Sequence, residues 1–287
     1  MALILKSKPV IDAMAADMKP RVEALKAQGV VPSLAIVRVG SRPDDLSYER
    51  TAIRRAESLG IEVRVIALDE FVTQFSLESQ LQAINADPTI HGCLLFRPLP
   101  TFMDEKSVCD RLAMTKDVDG ISTASLGAVF TDDPSVFAPC TAEACIRMLD
   151  HYRIPIAGKH VVVVGRSLVI GKPVAMLLLK RNASVTICHS RTEDLARITR
   201  AADIVICATG RARAFGELFF SPRQTVLDVG IDFDTQGVLC GDVDYERVEP
   251  TVDAITPVPG GIGSVTTSIT MEHTLIAAQR SVGISER

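Results

Sequence analysis

The run Val161-Val162-Val163-Val164, followed at once by Gly165-Arg166-Ser167-Leu168-Val169-Ile170-Gly171-Lys172-Pro173, limits the possible folds more than any other stretch of this chain. Four consecutive valines read as a strand buried on both faces, since a strand with one wet face alternates. After the glycine turn, the apolar segment from Val174 to Leu179 reads as a helix. Strand, glycine turn and helix make the phosphate-binding corner of a dinucleotide fold, where the helix N-terminus offers N–H groups and partial positive charge to an anion. Arg166 adds a fixed cation inside the turn. The spacing is neither Gly-x-Gly-x-x-Gly nor a Walker A loop. Five residues separate Gly165 from Gly171, and Pro173 stands where Ser or Thr would bind magnesium. Taken alone, the corner fits a cofactor site or a plain tight turn.

The next strand favours the cofactor site. It is expected from Ala183 to Ile187 and runs into Cys188-His189-Ser190-Arg191-Thr192. In a doubly wound sheet this strand end meets the adenosine ribose, where an acid suits NAD and an arginine suits the 2′-phosphate of NADP. No acid occurs here, and Ser190 and Arg191 are donors, so the expected cofactor is NADP. The plainer alternative makes Arg191 a solvated helix-start residue. His189 reads as a packing or backbone-bonding residue.

A chain of 287 residues has length for about two domains. Its net charge of −4 gives no electrostatic case for nucleic acid or an anionic membrane. No apolar run approaches the ~20 residues that span a bilayer, and the apolar start Ala2 to Leu5 is too short for a signal peptide. Seven cysteines, an odd number with no Cys-x-x-Cys, suggest reduced buried thiols and a cytoplasmic protein. The five histidines are dispersed, so no metal site is expected.

Strand and helix patterns alternate along the chain. Helices are expected over 9–28, 47–59, 76–84, 142–151 and 266–280, and strands over 33–39, 62–68, 92–96, 160–164, 183–187, 203–207 and 225–229. Such βα alternation predicts an α/β protein with mostly parallel sheets. The pattern breaks between Phe130 and Thr141, around Asp132-Asp133-Pro134 and Pro139. The expected division is a first domain over 1–140 and a Rossmann-like, doubly wound second domain over 141–265. The C-terminal helix within 266–287 is expected to pack back on the first.

Further motifs follow in order: Tyr48 with its helix, Gly92-Cys93-Leu94-Leu95-Phe96-Arg97-Pro98-Leu99-Pro100, Lys116-Asp117-Val118-Asp119-Gly120 and Pro139-Cys140-Thr141. After the Gly165 turn come Asp228-Val229-Gly230-Ile231, Gly241-Asp242-Val243-Asp244 and Thr256-Pro257-Val258-Pro259-Gly260-Gly261-Ile262-Gly263. Over essentially its whole length the chain resembles the methylenetetrahydrofolate dehydrogenase/methenyltetrahydrofolate cyclohydrolase family. The resemblance implies two α/β domains around a cleft, tetrahydrofolate one-carbon derivatives on the first, NADP on the second, and a homodimer. It implies oxidation of 5,10-methylenetetrahydrofolate to the methenyl form, then hydrolysis to 10-formyltetrahydrofolate. Tyr48 and Asp119 fall on catalytic and folate-holding positions. Leu95, Phe96, Arg97, Pro259, Gly260, Gly261 and Gly263 fall on substrate positions, and Gly165, Arg166, Ser167, Ser190, Arg191 and Ile231 on cofactor positions.

Departures from the family pattern matter as much. Its working lysine lies four residues after the tyrosine, one turn on along the same helix face. Here that position is Ala52. Phe96 replaces the family's glutamine, Arg97 a leucine, and Ala142 and Ser264 prolines. Hydride transfer needs alignment above all, whereas ring hydrolysis needs water activation and proton delivery. The expectation is therefore an NADP-dependent dehydrogenase with weak or absent cyclohydrolase activity. Two alternatives stand beside it. One is a bifunctional enzyme with a substitute cation such as Arg55, Arg50 and Arg54 lying on the same helix. The other is a folate- and NADP-binding protein without turnover. Asp117 reads as a structural turn residue, and Cys140 as a small buried residue with no base near it in sequence.

Overall fold

The computed structural model describes residues 2–284 and divides them into two units. In chain order the elements begin with β1 (Leu3–Ile4), α1 (Ser7–Lys26), β2 (Ser33–Val39), α2 (Pro43–Leu59), β3 (Glu62–Leu68) and α3 (Gln74–Ala86). They continue with β4 (Gly92–Leu95), α4 (Glu105–Cys109), α5 (Thr123–Phe130), α6 (Cys140–His151), β5 (His160–Val164) and α7 (Gly171–Lys180). Then come β6 (Ser184–Cys188), α8 (Leu195–Arg200), β7 (Ile204–Cys207), β8 (Thr225–Asp228), β9 (Asp232–Phe233) and β10 (Leu239–Cys240). The last are α9 (Tyr245–Val248), β11 (Ala254–Ile255) and α10 (Ile262–Ser281). The architecture is α/β with parallel sheets in both units.

One unit comprises residues 12–140 and 267–284. Its sheet has the order β3-β2-β4, all parallel, with Leu34 to Val37 of β2 facing Gly92 to Leu95 of β4. β2 is central and buried almost throughout, whereas β3, at the edge, is open along much of its length. Leu77, Leu81 and Ile84 of α3 cover one face of β2, against Ala35, Val37 and Val39. α2 starts at Pro43, four residues before the expected Ser47. Proline suits the first helical turn, where its missing N–H costs nothing, and Asp44 and Asp45 complement the positive helix end.

The other unit comprises residues 2–11 and 141–266. Its six strands are all parallel in the order β1-β11-β8-β7-β5-β6. From β5 the chain goes outward to β6, then returns to β7 on the opposite side of β5. That reversal makes the switch point of a doubly wound sheet, where ligands bind beyond the strand C-terminal ends. Val161 to Val164 are all buried, as a strand covered on both faces requires.

The expectation that 1–140 forms one domain is corrected at its start. Leu3 and Ile4 pair with Ala254 and Ile255 of β11, so the first residues complete the edge of the six-stranded sheet. Two residues carry no periodicity from which such a strand could be read. Residues 285–287, at the end of the expected C-terminal segment, lie outside the described residues. No helix among the described residues is long and apolar enough to cross a membrane.

Candidate active site

In the unit of β2, the expected substrate residues gather beyond the ends of β2 and β4. Tyr48 sits on α2, and Phe96 follows β4 directly, its N–H donating to Val37 O at 2.9 Å. The rings of Tyr48 and Phe96 lie 5.5 Å apart, tilted by 42°. Ala52, one turn beyond Tyr48, is fully buried. The phenol of Tyr48 hydrogen-bonds the hydroxyls of Thr267 and Thr270 on α10. Burial first, then the nearby Asp119 and Cys140, push that phenol well above its ordinary range, so it stays protonated.

Asp119 lies beside these groups. Burial raises its carboxyl pKa, the charge of Arg97 lowers it, and Asp117 raises it again. Hydrogen bonding to Cys140 and the charge of His273 lower it further. Arg97 is half-buried, with Nη1 3.6 Å from Glu105 Oε1, while Glu105 Oε2 accepts from Leu99 N at 2.8 Å. Arg97 thus brings a tethered cation to a position where the family pattern has a leucine. Leu95 is buried at the end of β4 and packs in the sheet core.

Asp117 has the structural role expected of it. It is fully buried and accepts from Ile121 N at 3.0 Å, Ser122 N at 2.9 Å and Ser125 Oγ at 2.6 Å, which folds the turn into α5. Cys140 is the small buried residue expected, and its sulfur lies 3.6 Å from His273 Nδ1, an imidazole 133 residues away in sequence. Thr267, Thr270 and His273 were beyond sequence reasoning, since α10 buries polar and apolar residues alike and shows no amphipathic period. Arg55 is turned to other work: its guanidinium pKa is lowered by burial, and its charge partner is Asp12 of α1. Arg50 and Arg54 are exposed.

In the unit of β5, Gly165 ends the valine strand with φ +132°, and a side chain there would strike the carbonyl of Ala208 beyond β7. Only glycine combines that backbone with that approach. The N–H of Gly165 donates to Cys188 O at 2.9 Å, which ties the turn to the end of β6. Arg166 and Ser167 on the turn, and Ser190 and Arg191 after β6, are all exposed. Ser167 Oγ accepts from Ile170 N at 3.1 Å and Gly171 N at 3.4 Å, so the start of α7 is capped by the turn itself. His189 Nδ1 accepts from Arg191 N at 3.2 Å, the backbone-bonding role expected. The donor set beyond β5 and β6, two guanidinium groups and a serine hydroxyl, suits a phosphorylated ribose.

The structure also gathers Ile231 with Pro259, Gly260, Gly261 and Gly263, around a cavity of about 150 Å³. A Cβ on Gly263 would come within 3.1 Å of Ile231 Cδ1. Among the described residues, no group of three or more His, Cys, Asp or Glu is placed to hold a metal ion.

A six-stranded parallel sheet with a glycine turn at its switch point, joined in one chain to a second α/β unit with a tyrosine and an acid beyond its strand ends, defines a dinucleotide-dependent α/β enzyme. Comparison with known proteins narrows the class. The profile described as "Tetrahydrofolate dehydrogenase/cyclohydrolase, catalytic domain" matches residues 5–119, and "Tetrahydrofolate dehydrogenase/cyclohydrolase, NAD(P)-binding domain" matches 139–282. The chain belongs to this family. It is 50% identical over 281 residues to "Bifunctional protein FolD" of Carboxydothermus hydrogenoformans, covering 97% of this chain and 98% of that one. A crystal structure of the bifunctional enzyme FolD from Campylobacter jejuni superposes with a TM-score of 0.95 at 32% identity, over 98% of this chain and 99% of that one. A Trypanosoma brucei FolD structure, complexed with NADP cofactor and inhibitor, gives 0.93 at 32% identity, over 98% of this chain and 99% of that one.

Proposed function

We propose that this chain oxidises 5,10-methylenetetrahydrofolate to 5,10-methenyltetrahydrofolate with NADP, and that it hydrolyses the product weakly or not at all. The observation that carries this reading is the pairing of Phe96 with Tyr48 at 5.5 Å, with a buried alanine one turn on at position 52. Bound NADP supplies the hydride acceptor. Arg166, Ser190 and Arg191 would hold its ribose phosphate, while the Gly165 turn admits the pyrophosphate and Ile231 the nicotinamide end. The neutral Tyr48 ring stacks on the folate, and Asp119 accepts hydrogen bonds from the pterin. The folate nitrogens themselves stabilise the cation that forms as hydride leaves. Orientation is the protein's main contribution, worth roughly 7–11 kcal/mol when reacting groups are well aligned. Ring hydrolysis also needs a proton carrier, commonly worth about 10²–10⁴-fold. Neither Ala52 nor Phe96 carries a proton, and the Phe96 ring excludes water.

A second reading, with both activities present, is favoured by the relatives of 43–50% identity that are named bifunctional. One assay separates the two. Purified protein receives methylenetetrahydrofolate and NADP, and reduced cofactor, methenyl and formyl products are followed separately. Accumulation of methenyl product in step with reduced cofactor is expected. Prompt conversion to the formyl form sinks the dehydrogenase-only reading. The seven cysteines are all buried as thiols outside any disulfide, which supports a reducing, cytoplasmic setting. The homodimer that the resemblance implies is tested by particle mass in solution.

A further inference from the structure

Two carboxylates are buried at the C-terminal rim of the six-stranded sheet. Asp228 is the last residue of β8 and is 3% exposed, and Asp242, just past β10, is 0% exposed. Asp228 Oδ1 accepts from Gly230 N and Asp242 N, both at 3.0 Å, and its Oδ2 accepts from Val243 N at 2.9 Å. Asp242 Oδ2 accepts from Thr209 N at 2.5 Å and Thr209 Oγ1 at 2.9 Å, and its Oδ1 from Arg211 N at 2.8 Å. Six donors, five of them backbone amides, converge on two side chains. They belong to three segments that follow β7, β8 and β10.

Two carboxyls placed together out of water are costly, and removing either would leave buried backbone amides without an acceptor. Their geometry serves the rim. The segment after β7 contains Ala208, against which the Gly165 turn is packed. The segment after β8 contains Ile231, the cofactor contact of the reading above. Both sides of the switch point therefore take their backbone course from this pair.

We propose that Asp228 and Asp242 are positioning residues for the dinucleotide: they fix the 208–211 and 229–231 segments in the course that receives it. This inference rests on the NADP reading above. A consequence concerns pH. Burial raises the Asp228 carboxyl to about 7, with backbone bonds from Val243, Asp242 and Gly230 opposing and the charge of Asp242 adding to it. The groups facing it are Asp242 and Cys207 of β7, with the Thr256 hydroxyl of the segment after β11 on its backbone N–H at 2.7 Å. Arg213, Lys6, Lys8, Tyr245 and Glu246 share with it a cavity of about 690 Å³. Protonated Asp228 brings a fourth donor among three amides, and one amide loses its acceptor. Cofactor affinity should therefore weaken as pH falls through about 7.

The test compares wild type, Asp228→Asn and Asp242→Asn with Val205→Ala, a fully buried change in β7 that loosens the same sheet away from the rim. Melting temperature, NADP dissociation constant, and KM and kcat for both substrates are measured from pH 6 to 8.5. Each Asn variant should raise the NADP dissociation constant about tenfold or more and leave the folate KM in place, and Asp228→Asn should lose the steepening below pH 7. Val205→Ala should lower the melting temperature and leave NADP binding unchanged. Asn variants that bind NADP as wild type does, or no worse than Val205→Ala at equal melting temperature, overturn the inference alone. A wild type that binds no NADP overturns the reading beneath it, and this inference with it. If the Asn variants do not fold, wild type decides by hydrogen exchange. Protection of the amides of Thr209, Arg211, Gly230, Asp242 and Val243 must fall together with NADP affinity below pH 7, and protection that stays level while affinity falls is fatal.

Discussion

Cys140 Sγ and His273 Nδ1 lie 3.6 Å apart, and both donate to the carbonyl of Val118, at 3.1 Å and 2.8 Å. A ring nitrogen bonded to a carbonyl carries its proton, so Nδ1 cannot also take one from the thiol. The pair therefore fixes the backbone just before Asp119 and is not a nucleophile with its base. Cys140→Ser, which keeps a donor there, should leave dehydrogenase kcat within about twofold. Thiol-specific alkylation of the native protein should not inactivate it. Progressive inactivation that tracks modification of Cys140 would contradict this.

On the dehydrogenase-only reading proposed above, restoring the two polar groups should bring ring hydrolysis with them. Ala52→Lys with Phe96→Gln places an ammonium one turn from Tyr48 and removes the ring that dries the site. Cyclohydrolase activity should rise by about tenfold or more. Melting temperature should fall, because a lysine enters a fully buried alanine position. Methenyl decay after mixing with each variant gives the answer directly.

Arg97 should set the pH range of folate binding. Burial raises the Asp119 carboxyl, and Arg97 is the largest influence holding it down. In the reading proposed above Asp119 accepts the pterin hydrogen bonds, and it accepts them best when ionised. Arg97→Leu should therefore move the acid limb of kcat/KM for folate to higher pH, with little change on the alkaline side. Arg97→Lys, which keeps the charge, should show only part of that shift or none. Superimposable profiles for the native protein and Arg97→Leu would remove Arg97 from this role.

The raised Asp228 carboxyl also affects stability. Its folded pKa of about 7 exceeds the ordinary carboxylate value of about 3.9, so between these values the folded chain binds the extra proton. Stability from this group falls as pH rises from about 4 to about 7, then levels off. Urea unfolding of wild type and Asp228→Asn at pH 5 and pH 8 tests the sign. Wild type should lose more on going to pH 8 than the Asn variant does.

Cofactor choice should depend on the cations beyond β5 and β6. Arg191→Ala and Arg166→Ala should each raise the KM for NADP by about tenfold, with the KM for NAD little altered. Equal losses with both cofactors would place these side chains outside the 2′-phosphate site.

The elements legible in the sequence are those with a strong period or a punctuating residue. β2 and β3 fall over 33–39 and 62–68 as read, because apolar runs there end in glycine, proline or polar turns. α4 and α5 were not legible. They have five and eight residues, and they rest on caps that accept locally, Asp104 from Ser107 N and Ser122 from Ser125 N, with no apolar stripe to announce them. Tyr48, Phe96 and Asp119 could be singled out from motifs. Thr267, Thr270 and His273 could not, because what brings them to Tyr48 and Cys140 is a helix more than a hundred residues further along. The Asp228 and Asp242 motifs were visible as letters. Their work is done through main-chain amides, which leave no trace in residue type.

Gly230 and Gly241 give this last point a practical form. Neither sits in left-handed backbone, yet a methyl group on either would collide with a carboxylate, that of Asp242 for Gly230 and that of Asp228 for Gly241. What these two positions contribute is vacant volume, already let to a neighbour. An alanine at 241 would evict the acid opposite, so a screen that scored it as a mild loss of flexibility would misjudge it, and engineers altering cofactor preference should leave both hydrogens where they are.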